Sequence, residues 1–167
     1  MRAVMALVLG IDPGLNGACC LLDVADGAIV TCGIHRMPVV QSTVNKRVRR
    51  SYDLAAINAF CRDLPTNVGL ALLERQWARP GEGVSSACST CFGYGLWRAM
   101  LVAWQVSHRE VSPITWRKAL GIPSALSGVQ RKRAVRDLCQ QRIPGAGHIA
   151  LPLADAVGIA LAATITL

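Results

Sequence analysis

The chain has 167 residues, 52% of them hydrophobic and 17% charged, enough for one sizeable core and too few for two independent domains. Lys and Arg number 18 against 10 Asp and Glu, a net charge of +8 in an otherwise apolar chain, which concentrates positive charge on a limited surface and predicts a polyanionic partner. Met1 to Gly10 is too short to cross a membrane and the apolar C-terminus carries Asp155, so the expected compartment is the cytoplasm and no membrane partner is expected.

Val4 to Ile11 is a nearly unbroken apolar run, the pattern of a central strand covered on both faces, and it stops at Asp12-Pro13-Gly14. It runs into that turn without a small-residue cleavage site, which argues against a signal peptide. Gly17 to Val24 and Ala28 to Ile34 read as two further strands joined by Ala25-Asp26-Gly27, so the chain opens as a three-stranded meander. Val39 to Ser51 is polar and holds Lys46, Arg47, Arg49 and Arg50; it reads as a mobile loop or ragged strand end before a helix from Tyr52 to Arg62.

Asn67 to Leu73 is the next apolar strand, ending at Glu74, and Arg75 to Gly83 is a loop with Pro80, Gly81 and Gly83. From Ser85 to Gln105, Cys88, Cys91, Phe92, Leu96, Met100 and Trp104 follow a helical stripe, with Gly93 and Gly95 marking close packing. Val106 to Val111 is a fifth strand, and helices are predicted over Pro113–Leu120, Val129–Gln141 and Pro152–Ile165. The seven cysteines are odd in number and scattered through apolar stretches, which suits reduced thiols. Cys88 and Cys91 have half the spacing pattern of a zinc or redox site, without a matching second pair, and read better as small residues packed along a helix.

Three carboxylates sit at the edges of apolar elements, where a charge is costly to desolvate: Asp12, Glu74 and Asp155. If the first and fourth strands are parallel neighbours, Asp12 and Glu74 emerge at the same sheet end, and Asp155 in an early turn of the last helix can cross it. Such a cluster becomes favourable when Mg²⁺ or Mn²⁺ binds, and two ions roughly 3.5 to 4 Å apart suit phosphodiester cleavage. Singly, each acid has a plainer reading as an N-cap, a solvated strand end or a helix-dipole partner.

Leu9-Gly10-Ile11-Asp12-Pro13-Gly14 resembles the first-strand motif of RuvC-type Holliday junction resolvases of the RNase H-like superfamily. The resemblance continues through Ala71–Arg75, Gly81–Ser86 with Gly93-Tyr94-Gly95, Thr115–Gly121 and Ala154-Asp155-Ala156, in the family's order over nearly the whole chain. The Gly-Val-Ser-Ser and Trp-Arg-Lys blocks are most similar to phage or prophage members. The resemblance implies an α/β RNase H-like fold, a five-stranded mixed sheet flanked by helices in a single domain spanning residues 1–167. It further implies a homodimer gripping a four-way DNA junction, and symmetrical metal-dependent hydrolysis with two Mg²⁺ or Mn²⁺ ions per site.

By position, Asp12, Glu74 and Asp155 match three of that family's four metal-binding residues. The fourth is a departure: an acid or His is usual three or four residues before the last Asp, where this chain has Pro152 and Leu151. His148 is the nearest substitute, as ligand or base, and with it Mn²⁺ would be favoured over Mg²⁺. Lys132 matches a basic position near the family's active site, and Arg117 or Lys118 matches another. Candidate DNA contacts are Lys46, Arg47, Arg49, Arg50, Arg75, Arg79, Arg117, Lys118, Arg131, Lys132 and Arg133, since Arg far outnumbers Lys and binds phosphate in bidentate fashion. Trp77 stands where the family carries an aromatic or bulky residue that helps open base pairs; it either stacks on an unpaired base or folds down onto Arg79 or the helix below it. Two alternatives stay open. One is a branched-DNA binding protein that cuts weakly or not at all, and the other is a different RNase H-like nuclease such as an rRNA-processing enzyme. A sugar-kinase reading of Gly10 to Gly17 is excluded by length.

Overall fold

The computed structural model describes residues 6–25 and 28–166. Val4 and Met5 of the predicted first strand and Asp26-Gly27 of the predicted hairpin turn lie outside the described residues, as does the side chain of Cys32. In chain order the elements are β1 (Ala6–Asp12), β2 (Ala18–Ala25), β3 (Ala28–Arg36), β4 (Val39–Val44), β5 (Arg47–Tyr52), α1 (Leu54–Arg62), β6 (Val68–Glu74), α2 (Val84–Ala103), β7 (His108–Val111), α3 (Pro113–Ala119), α4 (Gly128–Arg142) and α5 (Ala154–Thr166). A 3₁₀ turn, Leu151–Leu153, leads into α5.

The main sheet has five strands in the order β3-β2-β1-β6-β7. β1, β2 and β3 form the antiparallel meander, while β6 lies parallel to β1 and β7 parallel to β6. Because side chains alternate across a strand, each strand of this doubly covered sheet feeds two cores. Val8, Leu70 and Leu72 pack with α5, Trp116 of α3 and Val135 and Cys139 of α4; Leu9, Ile11, Ala71 and Leu73 pack with Ile57 of α1 and Trp97 and Leu101 of α2. α5 is apolar on nearly every side and is buried over most of its length. It lies so close to β1 that a Cβ on Gly10 would stand 2.2 Å from the Ala160 backbone nitrogen. Only glycine permits that approach.

Several sequence expectations need correction. Residues 39–52 are not a loop but a two-stranded antiparallel hairpin, β4–β5, forming its own small sheet. Asn45 and Lys46 at its tip have φ of 51° and 60°, the left-handed pair that matches a tight hairpin's twist. Tyr52 therefore ends a strand, and α1 starts at Leu54 with the Asp53 carboxylate accepting from the Ala56 N–H at 3.0 Å. On α2 the fully buried stripe is Gly93, Trp97 and Leu101; Leu96 and Met100 of the predicted stripe pack at its edge, whereas Cys88, Cys91 and Phe92 are exposed. Tyr52 decides that rotation, because its hydroxyl fills the space a Cβ on Gly93 would need. Gly95 faces open space, so the predicted close packing holds only for Gly93. Cys19, Cys61, Cys88, Cys91 and Cys139 are free thiols, and Cys19, Cys20, Cys61 and Cys139 are buried. Among the described residues no helix is long and apolar enough to cross a membrane.

Candidate functional site

The register of β1 and β6 places Ile11 beside Leu73, so the next residues along the two parallel strands are Asp12 and Glu74. Both share the parity of Gly10 and Leu72 and leave the sheet on the face that α5 covers. Asp155 lies in the first turn of α5, where a carboxylate complements the helix dipole. Three acids far apart in sequence are thereby brought to one end of one sheet face. Glu74 and Asp155 are buried, at 7% and 6% exposure, and Asp12 is half-buried.

Each carboxylate is held by named partners. Asp12 Oδ1 accepts from the Gln76 side chain at 3.1 Å and the Gly14 N–H at 3.3 Å. Glu74 Oε1 accepts from the buried Trp116 indole at 2.8 Å, and the Arg117 guanidinium, stacked on the Trp116 ring at 4.8 Å, stands 3.8 Å from the same oxygen. The Lys132 ammonium lies 3.4 Å from Asp155 Oδ2, while Asp155 Oδ1 is buried without a hydrogen-bond partner.

Burial and neighbouring negative charge disfavour the ionised forms of Glu74 and Asp12. Burial pushes the Glu74 carboxyl up to about 7, with the charge of Asp12 adding to it and the Trp116 bond and Arg117 opposing it. Asp12 is also raised, first by desolvation and then by Asp155, against the Gly14 N–H, Lys132 and Arg117. Among the described residues no three His, Cys, Asp or Glu side chains close into a ready-made metal cage. The three acids form an open set instead. Its chemistry fits a hard divalent cation, because the unpartnered buried oxygen of Asp155 and the raised carboxyls of Asp12 and Glu74 are both relieved by positive charge.

A groove of about 790 Å³ opens beside Asp12 and Glu74, bounded by the 75–83 loop, the start of α2, Arg50 and Lys132. Trp77 lines it and is 51% exposed, with no ring or cation stacked on it among the described residues, so it does not fold onto Arg79. Arg79 is at the groove too, and its backbone N–H is held by Glu82 at 3.1 Å. Arg75 leans toward Glu110 at 3.7 Å; Arg98 bonds the same carboxylate at 2.6 Å and Tyr94 also donates to it. Arg50 donates to Asn16 Oδ1 at 2.6 Å and the Leu15 carbonyl at 3.0 Å, which ties the hairpin to the turn after Asp12.

Lys46, Arg47 and Arg49 lie out on the hairpin, and Lys118 and Arg133 are exposed on α3 and α4. Arg131 is bound to the Leu126 carbonyl at 2.6 Å. Arg117, predicted as a DNA contact, braces Glu74. His148 is exposed before the 3₁₀ turn and is not among the groups acting on Asp12 or Glu74. Sequence reasoning missed Trp116 and Gln76 as supports of the carboxylates. Gln76 carried a signal, since it is two residues past Glu74 on an extended segment, but Trp116 required knowing that α3 packs beneath β6.

No protein-family model matches this sequence, and no curated protein shows significant sequence similarity to it. Solved structures do match. One is T. thermophilus RuvC in complex with Holliday junction substrate, with a TM-score of 0.63 at 17% identity, covering 93% of this chain and 91% of that chain. Another is a Thermus thermophilus RuvC structure, with a TM-score of 0.56 at 18% identity, covering 93% and 92%. The likeness fits the RNase H-like fold, with its mixed sheet and flanking helices.

Proposed function

We propose that this protein is a structure-selective endodeoxyribonuclease that cuts four-way DNA junctions by divalent-metal-dependent phosphodiester hydrolysis. The observation that carries the reading is the convergence of Asp12, Glu74 and Asp155 at one sheet end beside an open groove. The fold agrees, since a structurally similar protein is T. thermophilus RuvC in complex with Holliday junction substrate. The +8 charge supports a DNA partner. The reading extends to a homodimer, since symmetrical cuts need two sites, and to a cytoplasmic setting in a bacterium or a phage-infected cell.

Asp12, Glu74 and Asp155 are the residues that would hold Mg²⁺ or Mn²⁺. Bound there, such ions supply an activated water and charge stabilisation at the departing 3′ oxygen. The chain's own groups prepare the site. Trp116 and Arg117 engage one oxygen of Glu74 and so set the direction of the other. Gln76 and the Gly14 N–H do the same for Asp12, and Lys132 offsets the charge of Asp155. Trp77, exposed at the groove, is positioned to stack on an unpaired base.

Leu151 and Pro152, standing where a fourth ligand would, favour a second reading: a branched-DNA binding protein with little cleavage. The test is incubation of labelled four-way junctions with the protein and with Asp12→Asn in Mg²⁺ or Mn²⁺. Both should bind, and only the unaltered protein should nick, symmetrically. Binding without nicking in either ion selects the second reading, and nicking that survives Asp12→Asn rejects the proposed site.

A further inference from the structure

Outside Val39 and Tyr52 at its root, the β4–β5 hairpin adds nothing to either core: every residue from Val40 to Ser51 is exposed, and among the described residues its one extensive contact is between its own two strands. A two-stranded ribbon with no core beneath it is marginal by itself. Its root, in contrast, is firmly tied. Tyr52 is buried and donates to the Pro13 carbonyl at 3.0 Å, the Asp53 N–H donates to the Pro38 carbonyl at 3.0 Å, and Arg50 is committed to Asn16 and Leu15. The anchored turn is the one that immediately follows Asp12.

The ribbon's charge has one sign. Residues 39–52 contain Lys46, Arg47, Arg49 and Arg50 and no acid. Lys46, Arg47 and Arg49 are exposed and have no ion-pair partner among the described residues. Lys46 also holds a left-handed backbone conformation at the tip, a position that glycine occupies at lower conformational cost, so a cation is kept where local geometry disfavours it. Alternation along β5 puts Arg47 and Arg49 on one face, away from the face shared by Arg50 and the buried Tyr52. Neighbouring cations that repel one another on an unsupported ribbon are stabilised by a dense row of negative charge, and duplex DNA presents one about every 1.7 Å of its axis.

We infer that β4–β5 is a DNA-holding arm, separate from the cleavage site, in which Lys46, Arg47 and Arg49 grip the phosphates of duplex outside the crossover while Arg50 and Tyr52 fix the arm's root beside Asp12. Six residues of strand give a reach of about 20 Å, and a two-stranded ribbon is of a size that a DNA groove admits. This inference rests on the DNA-processing reading above and adds to it a sequence-independent anchor that does not recognise the branch.

The test compares the full chain with the triple variant Lys46→Ala, Arg47→Ala, Arg49→Ala and with the charge-keeping Arg47→Lys, Arg49→Lys. Anisotropy titrations of a labelled linear duplex and a labelled four-way junction are run without divalent ions over a range of salt. Loss of three phosphate contacts lowers the slope of log affinity against log salt by about 2.7 on both DNAs, so that the two affinities converge about 40-fold between about 50 and 200 mM salt. The Lys-bearing variant keeps the original slope. An unchanged slope in the triple variant, a loss confined to the junction, or an equal loss in the Lys-bearing variant overturns the arm. Nicking by the unaltered protein, assayed in parallel, keeps the two readings apart: nicking with an unchanged slope removes the arm alone, and a reduced slope without nicking removes the nuclease and leaves the arm.

Discussion

Glu74→Gln removes a charge that the fold holds at a cost. Folded Glu74 keeps its proton up to about pH 7, against an ordinary value of 4.5. The folded chain therefore binds a proton more tightly than the unfolded one, and stability contributed by this group declines as pH rises from about 4.5 to 7. At about 1.4 kcal/mol per pH unit, the shift corresponds to about 3 kcal/mol of destabilisation, absent in acid and fully present above neutrality. That figure is already net of the Trp116 bond and the Arg117 contact, both of which hold the carboxyl lower than burial alone would. The expectation is a variant more stable than the parent by about 3 kcal/mol at about pH 8, a Tm rise of about 6–12 °C in a domain of this size, and no gain at about pH 4. Denaturant titrations without divalent ions at both pH values measure it, read as a shift in midpoint at constant slope. The variant should lack nicking activity at either pH. Equal or lower stability at alkaline pH, or the same gain in acid, would refute the claim that this carboxylate is strained by burial beside Asp12.

Two further outcomes follow from the packing and the groove. Gly10→Ala drives a methyl into the backbone of α5, 2.2 Å from Ala160 N and 2.5 Å from the Ala156 carbonyl oxygen, so it should cost roughly 3 kcal/mol or more. A urea midpoint matching the parent's would show that β1 and α5 are not this close. Trp77→Ala, on an exposed loop residue, should leave stability within about 0.5 kcal/mol and lower junction nicking about tenfold or more, with a smaller effect on binding. Parallel losses in nicking and binding would assign Trp77 to adhesion rather than to opening the crossover.

Much of the sheet was legible because its signals are local. The apolar run ending at Asp12, the meander, and the apolar run ending at Glu74 each carry their pattern within a few residues, and the parallel pairing of β1 with β6 follows the expectation drawn from them. The hairpin was not legible, since polar and basic residues on both of its faces leave no alternation to read, and its pairing depends on a left-handed turn at Asn45 and Lys46. The rotation of α2 was misread for a related reason. Its exposed face carries Cys88, Cys91 and Phe92, as apolar as the face it buries, so hydrophobicity alone could not orient it.

The chain by itself determined which residues are costly to bury and where each strand ends, because desolvation of a carboxylate and alternation along a strand are properties of a few neighbouring residues. That was enough to single out Asp12, Glu74 and Asp155. Only the tertiary structure decided what surrounds them. The indole from α3 on Glu74, the ammonium from α4 on Asp155 and the side chain of Gln76 on Asp12 all depend on how separate elements pack, and packing angles and distances are set by the whole core rather than by any local stretch of sequence.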